Sequence, residues 1–115
     1  MFTAYAVVAG LLAAVLFLSA YTKLIRFGRT TATLTKVGVT EEQFAPLAAC
    51  ETAGALGLLA GMRIAPLGVA AAVGVALYFA LAIAAHVRVR DRDVGPPVVI
   101  LAMAVAALVL RIGSA

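Results

Sequence analysis

Four long apolar runs separated by polar stretches organise this chain. Phe2 to Tyr21 carries no charge and Gln43 to Met62 carries one, Glu51. Pro66 to Ala85 carries none, and Pro97 to Ile112 none before Arg111. No run alternates apolar with polar residues, as a membrane barrel strand must. Alanine and leucine dominate, and both favour helix. A bilayer core of about 30 Å needs about 20 helical residues. The first three runs reach that length. The fourth is the shortest, spanning about 24 Å, and would stand nearly upright. In lipid a helix satisfies its own backbone, so four runs predict four helices. The expected fold is all-α: an integral membrane four-helix bundle, antiparallel up-down, forming a single domain over residues 1–115. Its helices are expected over about 2–22, 42–62, 66–86 and 96–112.

The polar stretches refine this. Between the first two runs, Leu24, Ile25, Phe27, Leu34 and Val37 are interleaved with basic residues. That mixture predicts a short amphipathic segment on the inner leaflet, in the first cytoplasmic loop, ended by Gly38. Thr40-Glu41-Glu42-Gln43 fits a capping box for the second helix, with Gln43 reaching back. Glu41 and Glu42 then suit the helix dipole rather than chemistry. Pro46, just inside, is a candidate kink. The turn Arg63 to Ala65 is so short that the second and third helices must be antiparallel neighbours. Gly95, Pro96 and Pro97 mark the entry to the fourth.

Basic residues set the orientation. Lys23, Arg26, Arg29, Lys36, Arg88, Arg90 and Arg92 fall on one side, against Arg63 and Arg111 on the other. That bias puts both loops in the cytoplasm and both termini outside. With no basic residue before Lys23, the first run reads as a retained anchor rather than a cleaved signal. Arg26, Arg29, Arg88 and Arg90 are expected to contact lipid headgroups, which accounts for the net charge of +4 without nucleic acid. Trp is absent, so anchoring at the interface falls to Tyr5, Tyr21, Phe27 and Phe44.

Composition agrees with a membrane address. The hydrophobic fraction is 65% and the charged fraction 12%, too apolar for a soluble monomer or a disordered chain. One Cys and one His exclude a structural zinc site and a disulfide framework. No dinucleotide or phosphate loop is present, no CxxC, and no spacing that reads as a Ser/His/Asp set. No metal or nucleotide cofactor is therefore indicated. Richness in alanine, glycine, valine and arginine hints at a GC-rich bacterial source, and hence at the plasma (inner) membrane. Small residues recur along every run. Gly57 and Gly61 form a small-xxx-small step that serves either bundle packing or a homodimer.

Glu51 is the ionisable group that needs explaining. It lies about 10–12 Å into the second helix, where an unpaired charge costs a few kcal/mol or more. Its own helical face is apolar, so partners must come from neighbouring helices. Lys23 closes the first helix with Ser19 one turn earlier, and His86 closes the third with Tyr78 two turns before it. Ser19, Lys23, Glu51, Tyr78 and His86 are thus the candidate polar cluster in the cytoplasmic half of the bundle. It serves either as a salt bridge fixing the packing or as a site for a proton or a small polar headgroup.

These residues also carry a family resemblance. Ser19-Ala20-Tyr21-Thr22-Lys23-Leu24 resembles the S-G-x-x-K-L signature of the DoxX-like family, with Ala20 where glycine is usual. Lys36-Val37-Gly38-Val39 is similar to that family's G-V stretch. The segment Glu51 to Leu59 is similar to its E-x-x-G-x-x-x-L-L segment, and His86, Arg88 and Asp91 to its H-x-R-x-x-D ending. Pro97 at the start of the fourth helix fits as well. The resemblance implies a small four-helix membrane protein with polar positions at Ser19, Lys23, Glu51 and His86. Some members are accessory subunits of quinone-linked sulfur oxidation, some are linked to oxidative-stress complexes, and distant eukaryotic relatives help other membrane proteins assemble.

Four functions fit such a chain. The first is an accessory or partner subunit in a larger membrane redox assembly, with quinone as the ligand. The second is a small proton-coupled transporter, similar in layout to the small multidrug exporters, although those keep their carboxylate in the first helix beside tryptophan. The third is a membrane-protein assembly factor. The fourth is a small membrane enzyme using Glu51 and His86 as acid and base on a lipophilic substrate. Whether the chain is an enzyme is left open by its residues.

Overall fold

The computed structural model describes residues 2–25, 28–90 and 95–114; of Arg29, Thr30, Glu41 and Pro96 the backbone alone is described. Every regular element is helical, with no strand among the described residues. In chain order these are α1 (Phe2–Leu24), α2 (Gly28–Lys36), α3 (Phe44–Ala60), α4 (Ala65–Arg88) and α5 (Gly95–Ser114), with a 3-10 turn over Glu41–Gln43. Arg26, Phe27, Asp91 and Arg92, which entered the sequence reading, lie outside the described residues.

The shortest long helix is α3, not the last one. It has 17 residues, against 23 in α1, 24 in α4 and 20 in α5. Both ends of α3 have local causes. At its start the chain winds as a 3-10 turn, closed by Gln43 N–H donating to the Thr40 carbonyl at 3.0 Å. The Gln43 side chain reaches back to accept from Thr40 N–H at 3.1 Å, which is one half of the anticipated capping box. Pro46 is the third residue of α3, where an N–H would have no partner within the helix, so it is accommodated in the first turn. At the other end Gly61 closes the helix, Ile64 turns extended, and Pro66 opens α4. In the last helix, Arg111 does not end the span. Its side chain folds into the bundle and α5 runs on to Ser114.

Contacts fix the arrangement. α1 packs against α3 and α5, and α4 packs against the same two, so α1 and α4 occupy opposite corners of a square. Lys23, ending α1, meets Glu51 in the first half of α3, while Tyr5, opening α1, meets Leu58 near the end of α3. These two helices therefore run antiparallel. Arg111, late in α5, meets Gly61 and the ring of Tyr5, which sets α5 antiparallel to α1.

The interior follows a seam of alternating four- and three-residue steps. It runs through Tyr5, Ala9, Leu12 and Leu16 on α1 and through Ala48, Glu51, Ala55 and Leu58 on α3. It continues through Gly68, Ala72, Val75 and Phe79 on α4 and through Ile100, Ala104, Ala107 and Arg111 on α5. This is the spacing of knobs-into-holes packing. Many seam residues are small, whereas Leu11, Leu18, Leu56, Leu77, Leu81, Val105 and Val109 face outward. In water that distribution would be unfavourable; against lipid tails it is the arrangement that lets backbones approach. Gly57 stands against Ala71 and Gly61 against Gly68, so this small-residue step is used between α3 and α4 of one chain.

α2 follows α1 at one end of the bundle. It stops at Gly38, whose φ of +90° only glycine adopts readily. Val39 N–H donates to the Leu34 carbonyl at 2.9 Å and Gly38 N–H to the Thr35 carbonyl at 3.1 Å. These two bonds make a Schellman closure. It turns Leu34, Val37 and Val39 toward α3 and α4, where they line a small hollow of about 220 Å³.

Candidate functional site

Each of the four long helices buries one side chain of the Lys, Glu, His or Arg kind: Lys23 on α1, Glu51 on α3, His86 on α4 and Arg111 on α5. Burial removes water from each, so each must find protein partners. Three of them lie toward the α2 end, and Arg111 lies at the opposite end.

Glu51 is the centre of the first group. The residue is 2% exposed. The Lys23 ammonium pairs with its Oε1 and also donates to Ser19 Oγ at 2.9 Å, one turn back on α1. The Tyr78 hydroxyl, from α4, donates to the same Oε1 at 2.9 Å. Three helices are thus tied at one carboxylate oxygen. The second oxygen, Oε2, is buried and accepts no hydrogen bond from any described residue. A buried acceptor left open costs about 1–3 kcal/mol, more when charged.

This carboxylate borders a groove of about 530 Å³ between α3 and α4. The walls include Gly54, Gly57, Ala71 and Gly74, with Tyr78 and Phe79 beside Glu51. Its rim holds Cys50, Ala53, Leu67 and Ala70, which are exposed on the outside of the bundle. The groove therefore opens sideways, toward lipid in a membrane. It is apolar along its length and polar at Glu51 and Tyr78, the form expected of a pocket for a lipophilic molecule with a small polar head.

Ser19, Lys23, Glu51 and Tyr78 are brought together as the sequence indicated. His86 stands apart. It follows Tyr78 by eight residues, about 12 Å along the helix. It lines the smaller hollow under α2, and Tyr78 borders both hollows. Its Nδ1 lies 2.7 Å from the Ala82 carbonyl, which can only accept, so Nδ1 carries the proton there. Arg88 and Arg90 are exposed at the same end. A Cβ placed on Gly38 would come within 3.2 Å of Arg88 Nη2, so this guanidinium packs beside the close of α2. Among the described residues no group of His, Cys, Asp and Glu is placed to hold a metal ion.

Sequence reasoning missed the opposite end. Arg111 Nε donates to the Gly61 carbonyl at 2.7 Å, and Nη1 donates to Ser114 Oγ at 3.1 Å. Its guanidinium lies 5.5 Å from the Phe2 ring centre and 5.4 Å from that of Tyr5. The Tyr5 hydroxyl donates to the Leu58 carbonyl at 2.8 Å. Arg111 and Tyr5 together satisfy carbonyls that the end of α3 leaves open. The available signal was an arginine one residue before the end of an otherwise uncharged run.

The fold and site thus define an integral membrane protein, a helical bundle with a buried ion pair and a lateral apolar groove. The family model for the DoxX-like family matches residues 7–107, and the chain belongs to that family. No curated protein and no solved structure matches it.

Proposed function

We propose that the chain is an accessory subunit of a membrane assembly of the quinone-linked redox kind, and that it holds a lipophilic molecule in the groove between α3 and α4. The observation that carries this reading is the Lys23–Glu51–Tyr78 set at a groove that opens on the lipid-facing side of the bundle. The chain's own residues supply binding and orientation: an apolar slot for the ligand body, and a carboxylate and a phenol for its polar head. Electron transfer, in this reading, belongs to the ligand and the partner subunit. In this reading the α2 end faces the cytoplasm of a bacterial inner membrane and both termini lie outside, which the excess of basic residues in the sequence around α2 and after α4 supports. Arg88 and Arg90, with Arg26 and Arg29, then meet lipid headgroups, and α2 lies on the inner leaflet.

Isolation in mild detergent, followed by mass spectrometry of co-purifying proteins and small lipophiles, tests this. The expected result is a larger redox protein in fixed ratio, with quinone in the extract. A chain that purifies alone and without a lipophile would overturn the reading, as would proton-driven efflux from vesicles containing it alone.

A further inference from the structure

The two buried cations at opposite ends of the bundle differ in one respect. Lys23 is neutralised by Glu51, whereas Arg111 pairs with no carboxylate among the described residues. The acidic side chains that are described, Glu42 and Glu51, both lie toward the α2 end. Arg111 has five N–H bonds to donate, and two are used, on the Gly61 carbonyl and on Ser114 Oγ. Nη2 donates to no described residue, and it is not sealed in as Glu51 Oε2 is; it reaches the surface. The Phe2 and Tyr5 rings steady the cation but supply neither an acceptor nor a negative charge. Arg63, exposed in the turn just after Gly61, adds a second cation. This is also where helix ends gather: α1 begins at Phe2, α3 closes at Gly61, and α5 ends one turn beyond Arg111. In a membrane, helix ends meet the headgroup region, and a long cationic side chain turns its head toward it. Phe2, Ile64 and Ile112 are exposed at the same end and offer apolar surface to an amphiphile's chains.

We infer that the open edge of the Arg111 guanidinium binds the phosphate of an anionic membrane lipid, in the leaflet at the end opposite α2. A guanidinium presents its N–H bonds in a planar fork that suits phosphate oxygens, and bonds to an ionised acceptor are the strong ones. The bonds to Gly61 and Ser114 fix the fork, so Ser114 is a positioning residue here. A net negative headgroup is selected because the cation lacks a counter-charge; a zwitterionic lipid would bring its own ammonium alongside Arg111 and Arg63. Free phosphate shares the oxyanion chemistry but cannot use the apolar surface beside it. The site is independent of the groove between α3 and α4, which neither Arg111 nor Ser114 lines.

Native mass spectrometry of the purified full chain, released from mild detergent, tests this. The probes are dioleoyl phosphatidylglycerol, dioleoyl phosphatidylcholine and inorganic phosphate, each titrated separately. The wild-type chain should hold one phosphatidylglycerol about tenfold or more tightly than phosphatidylcholine, the gap expected of a hydrogen bond to a charged group. Ser114→Asp puts a carboxylate beside Nη1, supplies the counter-charge from within, and should lose that advantage. Ser114→Ala adds no charge and should keep it. The double variant Arg88→Gln, Arg90→Gln removes cations from the α2 end and should also keep it. Phosphatidylglycerol binding that is unchanged in Ser114→Asp overturns the inference, as does its loss in the Arg88, Arg90 variant. Equal binding of the two lipids overturns the selection for negative charge. Inorganic phosphate held as tightly as phosphatidylglycerol overturns the lipid as ligand. If Ser114→Asp does not fold, the wild-type comparison together with the Arg88, Arg90 variant still decides.

Discussion

At the scale of single residues, Glu51 holds three helices at one oxygen atom. Removing a partner strands a buried charge, which is more damaging than removing both. Lys23→Met should therefore destabilise the folded protein by about 3–5 kcal/mol. The double variant Lys23→Met, Glu51→Gln should lose much less than the sum of the two single changes. Thermal unfolding of the four proteins in one detergent, taken as a double-mutant cycle, checks this; additive losses would mean that the pair is not coupled. Tyr78→Phe removes a single bond to a charged acceptor and should destabilise by about 1.5–3 kcal/mol in the same measurement. Much of this group was legible in the sequence, because a carboxylate among apolar residues has to be paired and few side chains are near enough. Lys23, Ser19 and Tyr78 follow from helix ends and register. His86, two turns beyond Tyr78 on α4, lines the smaller hollow rather than the groove. Arg111 was passed over because an arginine near the end of a run reads as a boundary, although its long stem can fold back into the bundle.

At the scale of elements, the helices are held by size rather than by hydrophobic contrast. Gly61 shows the limit: a Cβ there would lie 2.2 Å from Gly68 Cα, a backbone atom that cannot swing away. Gly61→Ala should force α3 and α4 apart and destabilise by about 2–3 kcal/mol. Gly10 has nothing within 4 Å of its Cβ position. Gly10→Ala should therefore be neutral or stabilise by up to about 1 kcal/mol through helix propensity. Melting temperatures of the two variants should move in opposite directions, or only Gly61→Ala should move; a harmless Gly61→Ala would mean that the helices are not this close. The number of helices could be read from the charges between the runs. Their inward faces could not be read from hydropathy, because leucine outside and alanine inside are both apolar. The lengths of α3 and α5 were misjudged for related reasons. The 3-10 turn and Gly61 shorten α3 within an apolar run, and the folded-back Arg111 lets α5 continue.

For the whole molecule, the proposed orientation in the bilayer rests on the excess of basic residues in the sequence around α2 and after α4, against Arg63 and Arg111. Alkaline phosphatase fused to either terminus should be active, and a fluorescent protein that matures only in the cytoplasm should stay dark there. The reverse pattern at both termini would invert the orientation and move the Glu51 site to the outer half of the membrane.

The brevity of α3 reaches beyond the protein. Its 17 residues rise about 25 Å, while α1 and α4 beside it have 23 and 24. Lipids along that one flank meet a narrower hydrophobic belt than lipids elsewhere around the bundle. They must compress there, so the protein sits in a lopsided dimple in the membrane. That dimple lies beside the groove's open edge, where acyl chains are most perturbed and an amphiphile leaves the bilayer most readily. Thicker membranes would deepen it, making lipid chain length a control on how easily the groove is filled.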